Sequence, residues 1–129
     1  MGGEFEMWKQ RISPARHLQT EIEKQIEDIE RTYVIDDRNS VLSFIQRNGI
    51  QNLLVEADNP LRSAFGKLGM IKLLRLVRDD EGADTLFCFV QFRGDVEAGM
   101  QALASFDQQW WLQRSPSAAG KLNFDFEFV

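Results

Sequence analysis

The chain has one cysteine and one histidine in 129 residues. A lone Cys88 excludes an intramolecular disulfide. With only His17 beside it, a closed zinc site and a Cys/His nucleophilic pair both lack members. Cys88 stands in an apolar run, which predicts a buried small hydrophobe. A chain without disulfides suits a reducing, cytoplasmic setting. There is no run of about 18 apolar residues, so no membrane span is expected. A basic excess is also missing. Fifteen Lys and Arg stand against twenty Asp and Glu, for a net charge of -5, and general nucleic-acid binding normally leaves a basic footprint. Gly66-Lys67-Leu68-Gly69 has neither P-loop nor dinucleotide-loop spacing, and no G-x-S-x-G elbow occurs. The acidic start, Met1 to Glu6, has no apolar core of a secretory signal. Glu4-Phe5 matches what a common restriction site encodes, so residues 1–12 read as a flexible tail that is partly a cloning scar.

What is present suffices for one α+β domain over residues 13–129. Hydrophobic residues make up 43%, enough for a core without covalent staples. Ser13-Pro14 is a helix start, with Ser as cap and Pro where its missing N–H costs nothing. Leu18, Ile22, Ile26, Ile29 and Tyr33 then form one apolar stripe at helical spacing. Asp37 opens a second helix, and Asn48-Gly49-Ile50 closes it as a left-handed C-cap with a hydrophobic contact. A third helical stretch runs from Ile50 to Asp58. Asn59-Pro60 restarts it briefly until Gly66. Met70–Val77 and Leu86–Phe92 read as strands, joined by hairpin-loop chemistry at residues 79–84. Asp95 caps the last helix, whose stripe is Val96, Met100, Leu103, Phe106 and Trp110. Residues 115–120 read as a loop. The final strand alternates Leu122, Phe124, Phe126 and Phe128 against Asn123, Asp125 and Glu127, the mark of one wet face. The expected order is three helical segments in the N-terminal half, then ββαβ. The expected sheet is small and mainly antiparallel, with helices on one face.

Three features invite chemistry or partners. Asp125 and Glu127 share a strand face, and Asp79 and Asp80 end another strand. If the two pairs converged they would offer hard oxygen ligands for Mg²⁺, and with it metal-dependent phosphate-ester chemistry of a nuclease or nucleotidyltransferase kind. Lys72 and Arg78 are the expected ion-pair partners that would instead make this a salt-bridged wet face. His17 has no orienting partner nearby and reads as a surface residue. Trp110-Trp111 cannot both face the core of an α-helix, since successive residues are about 100° apart. Trp110 continues the stripe, which leaves Trp111 as an edge or interface residue. Phe87 and Phe89 fall on the opposite strand face from Leu86, Cys88, Val90 and Phe92.

The segments Leu53-Leu54-Val55-Glu56-Ala57, Phe106-Asp107-Gln108-Gln109-Trp110-Trp111-Leu112 and Gly120-Lys121-Leu122 with its acidic-aromatic strand resemble a family of small uncharacterised bacterial proteins over residues 37–129. That resemblance implies boundaries and carries no activity, cofactor or site. The residues themselves point to a non-enzymatic protein–protein interaction module, antitoxin-like or accessory. It is expected to form a homodimer and to bind a protein partner, without nucleic acid, membrane or cofactor. The interface is expected at Trp111, Phe87, Phe89, Ile22, Ile26, Ile29 and Tyr33. A small-ligand pocket between sheet and helices is a third possibility.

Overall fold

Apolar stripes at helical spacing do produce helices here. In the computed structural model, which describes residues 20–66 and 71–129, residues 20–32 are helical (α1). Ile26 and Ile29 are buried along it, and Tyr33 is buried just beyond. The Ser13-Pro14 start, Leu18, His17 and the tail of residues 1–12 lie outside the described residues. Helix α2 spans Arg38–Asn48. Its C-terminus is a Schellman turn: Gly49 adopts φ 64°, Ile50 N–H reaches the Ile45 carbonyl and Gly49 N–H the Gln46 carbonyl. Ile50 is fully buried. Asp37 precedes α2 at φ 52° and makes no side-chain cap bond.

Helix α3 spans Gln51–Phe65 and runs through Pro60 without a break. The expected restart at Asn59-Pro60 is thereby corrected. Proline costs a helix interior roughly 3 kcal/mol, but Leu53, Leu54, Ala57, Leu61 and Phe65 continue one buried row across it. Each fully buried Leu or Phe contributes about 1.5–3 kcal/mol, so packing outweighs the local break.

The sheet has the order β1-β2-β3-β4, with β1 at Val34–Ile35, β2 at Ile71–Arg78, β3 at Asp84–Phe92 and β4 at Leu122–Phe128. Strand β1 is parallel to β2, β2 antiparallel to β3, and β3 parallel to β4. The sheet is therefore mixed and mostly parallel, which corrects the expected mainly antiparallel one. Parallel neighbours need a crossover, usually helical. Both exist: α2 and α3 carry the chain from β1 to β2, and the helical segment after β3 carries it to β4. The chain is thus two strand–helices–strand halves joined by the β2–β3 hairpin.

That last segment begins as α4, Val96–Phe106, where Asp95 accepts the Ala98 N–H at 2.7 Å as a helix cap. It continues as a π-helical turn, Asp107–Trp111, and then as α5, Leu112–Ala118. Residues 115–118 are therefore helical, not loop. Pro116 cannot donate to the Leu112 carbonyl, and the Ser115 hydroxyl donates there instead at 3.5 Å. The chain then turns at Ala119-Gly120, both at positive φ. Close packing of α4 on the sheet depends on Gly99, where a Cβ would lie 2.5 Å from the Phe126 ring.

The core lies between the helices and one sheet face. Leu74, Leu86, Cys88, Val90, Phe92, Leu122 and Phe124 meet residues from every helix there. Register stacks Leu74, Cys88 and Phe124 across the sheet. Trp111 belongs to this core, and Trp110 is half-buried against it. This corrects the expectation from the apolar stripe, which puts Trp110 inside and Trp111 at the edge. The π-turn is the reason. Its i→i+5 bonding adds a residue to the turn, so Trp111 rather than Trp110 lies in line with Phe106. Both rings then reach Phe124, at 4.8 Å for Trp111 and 6.2 Å for Trp110, and they stack on each other at 5.8 Å.

Candidate functional site

Strand alternation puts the residues missing from the core on the outer face of the sheet. Val34, Ile71, Leu73, Arg75, Val77, Phe87 and Phe89 lie there in register, with Asn123, Asp125 and Glu127 beside them on β4. Among the described residues no helix packs on this face. Val34 is 53% exposed and Ile71 46%, while Leu73 between them on this face is buried at 8%. Phe87 and Phe89 are half-buried and stack with centroids 5.4 Å apart. Arg75 lies across Phe89, its guanidinium 5.4 Å from the ring centre. From there it reaches Asp36 at 3.6 Å and Glu127 at 3.8 Å. Arg75 is a site residue that the charge pattern alone does not mark. The signal for it is alternation: Leu73, Arg75 and Val77 alternate with core residues just as Phe87 and Phe89 do on the neighbouring strand.

Strand β4 is one edge of the sheet, and its own side chains occupy part of that edge. Leu86 N–H donates to the Lys121 carbonyl, so residues 123, 125 and 127 turn their backbone groups toward β3, and Phe124 and Phe126 turn theirs outward. Those two outward N–H groups are taken by the Asn123 and Asp125 side chains at 2.9 and 2.8 Å. An edge with its two central donors occupied is a poorer template for strand addition.

The remaining interface candidates sit elsewhere. Ile26, Ile29, Tyr33 and Trp111 are buried within the chain's own core, and Ile22 packs on it half-buried. A side chain less than a tenth exposed has no surface to offer, so the interface reading narrows to Phe87, Phe89 and the half-buried Ile22. The acidic pairs do not converge. Asp79 and Asp80 belong to the β2–β3 hairpin, while Glu127 is level with Gln91, seven residues along β3 from Asp84, or roughly 23 Å at strand rise. Asp79 is also engaged locally, accepting Glu81 N–H at 2.9 Å and Ala83 N–H at 2.8 Å. Among the described residues no group of three or more His, Cys, Asp or Glu is placed to hold a metal ion.

Lys72 points into the core side and does not pair across the outer face with Asp125 or Glu127. It is 5% exposed, bonds to Asp58 of α3, and lies 5.3 Å from the Tyr33 ring centre. Arg78 pairs instead with Asp84 at 3.1 Å. Tyr33 donates to the Leu54 carbonyl at 2.6 Å. Burial pushes the Cys88 thiol up to about 12 and raises the Tyr33 hydroxyl well above its ordinary value. Both groups are kept neutral in the folded chain. In the unfolded chain Cys88 loses its proton near 9.0 and Tyr33 near 10.0. Stability that depends on neutral thiol and phenol is thus complete below pH 9 and lost as pH rises toward 12. Denaturant midpoints measured across that window should fall, and Cys88→Ala should flatten the fall. An unchanged midpoint above pH 9 would mean that neither group is held as described.

Two other surfaces stand out. A groove of about 610 Å³ opens between α2 and the hairpin base, lined by Asp37, Ser40, Ser43, Arg47, Arg78 and Asp84 among others. It is open and polar. This is where a small-ligand reading would have to be placed, and no motif in the sequence marks it. The second surface is apolar. Val96 and Met100, one turn apart on α4, are 56% and 60% exposed, with Phe128 and Val129 exposed at the end of β4. Gly99 of α4 packs against the Phe126 ring, which lies 5.7 Å from Phe128.

No protein-family model, curated protein or solved structure matches the chain. Among the described residues no helix is long and apolar enough to cross a membrane.

Proposed function

We propose that this chain is a non-enzymatic protein-interaction module whose working surface is the outer sheet face, and that it self-associates through the apolar patch of α4 and β4. The carrying observation is the stacked Phe87–Phe89 pair, which no described helix covers. A sheet normally buries its apolar face against another layer, and exposed apolar patches rimmed by polar groups mark protein contacts. The resemblance of residues 37–129 to a bacterial family brings no activity and adds nothing to this reading. A metal-dependent phosphate-ester enzyme is not favoured, since the four carboxylates on which it rested are spread along the sheet. The acidic balance speaks against a nucleic-acid partner.

The α4 patch suits a second copy because homodimer contacts are the more apolar kind, and Val96, Met100 and Phe128 carry no charge. Light scattering over a tenfold concentration range should give a mass above 14.9 kDa. Met100→Glu should return it to the monomer value, and Phe89→Ser should leave it unchanged. A wild-type mass of 14.9 kDa throughout would remove self-association from the proposal.

A further inference from the structure

The outer face of the sheet differs from the α4 patch in charge. Three carboxylates border its aromatic pair: Asp36 on the β1 side, and Asp125 and Glu127 on β4. Among the described residues Arg75 is the only cation paired with any of them, and it is shared between Asp36 and Glu127. Two copies laid face to face would gather twice three carboxylates and twice one guanidinium in a contact losing water. That cost disfavours a second copy here. Strand addition at β4 is disfavoured as well, because its outward N–H groups at Phe124 and Phe126 are already taken.

We propose that the outer sheet face receives an amphipathic helix of another protein, with Lys or Arg flanking its apolar stripe. The inference rests on the interaction reading above and names the partner's chemistry. A helix laid on a sheet is the ordinary way to complete such a layer, and the opposite face of this sheet is covered in that manner. The apolar stripe meets Phe87, Phe89, Val34 and Ile71. Long cationic side chains rest their stems on apolar surface and carry their charge outward. Arg75 already displays that geometry within the chain: its guanidinium sits over Phe89 and continues to Glu127. A partner's Lys or Arg can repeat it over Phe87 toward Asp125, a carboxylate with no cation paired to it among the described residues.

The test is a titration of the ¹⁵N-labelled full chain with a synthetic helix of about 18 residues, built on a leucine stripe flanked by lysines. The same helix with glutamates in place of the lysines serves as comparison. The expected result is amide shifts concentrated on β3 and β4 around Phe87, Phe89, Asp125 and Glu127 with the lysine helix alone. Binding should weaken about tenfold on going from low to high salt, and about as much in Asp125→Asn/Glu127→Gln. Equal shifts with the glutamate helix would overturn the basic partner while leaving the face as an interaction surface. Shifts confined to the acidic side of α1, around Glu27 and Glu30, would reduce the effect to unspecific charge attraction and overturn the proposal. No shift on β3 or β4 with either helix would overturn the proposal together with the reading it rests on.

Discussion

Asp58→Ala is expected to cost the fold about 3 kcal/mol, the lower part of the range for breaking a buried ion pair from one side. The cost comes from what is left behind. Lys72 is 5% exposed, and its ammonium bonds to Asp58 and faces the Tyr33 ring. Without the carboxylate a buried charge loses its partner. The reverse deletion should be milder. Asp58 is itself partly open to water, and it keeps Arg62 at 3.1 Å when Lys72 becomes Met. The double replacement Asp58→Leu/Lys72→Met should recover most of the loss, since matched apolar groups often equal or exceed a buried pair. Urea titration of the three variants decides the matter. Equal losses from both single variants would mean that the pair is effectively solvated, and the placement of Lys72 would have to be revised.

Phe124→Ala should cost about 3–5 kcal/mol, as large-to-small changes in a filled core do. Phe124 is the floor on which the helical crossover rests. Phe106 and Trp111 each lie 4.8 Å from it, and Trp110 lies at 6.2 Å. Such edge-to-face pairs contribute roughly 0.5–1.5 kcal/mol beyond area burial. The hole would open under the π-turn, so near-ultraviolet circular dichroism from the stacked indoles should weaken before the helix content falls. Phe128→Ala on the same strand, where the ring is 50% exposed, should cost less than about 1 kcal/mol. Similar losses at the two positions would contradict the burial of Phe124 and the exposure of Phe128.

Local chemistry made much of the fold legible. Asn48-Gly49-Ile50 announced its Schellman turn, Asp95 its cap, and residues 79–84 their hairpin, because each depends on neighbours a few positions away. The alternation of β3 and β4 placed Phe87 and Phe89 outside and Leu122 and Phe124 inside. What stayed hidden depends on distant partners. Val34-Ile35 is too short to alternate, so β1 exists only because β2 accepts it; with β1 unmarked and β4 free by sequence to join either β2 or β3, the two parallel pairings are not legible. Pro60 is a helix breaker by itself and became tolerable through the burial of Leu61 and Phe65. Lys72 looked like a wet-face residue by charge, but its position alternates with the outward Leu73. Its inward direction follows from its register with Val90 and from Asp58, fourteen residues away. As for the candidate site, Phe87 and Phe89 were readable from alternation. Ile26, Ile29 and Tyr33 were not, because a helical stripe does not say whose core it enters.

The π-turn at Asp107–Trp111 also determines where this chain tolerates a change of length. It contains one residue more than an α-helical turn needs, so Phe106 and Trp111 face the sheet at a separation of five. Loss of Gln108 or Gln109 would bring them to a separation of four, which in an α-helix is again one face. Everything after the turn would keep its orientation. A strand has no such allowance. One residue gained or lost within Leu122–Phe128 would exchange Phe124 for Asn123 or Asp125 against the core. In related chains, length differences should therefore collect in the glutamine pair of the crossover, and β4 should keep its length.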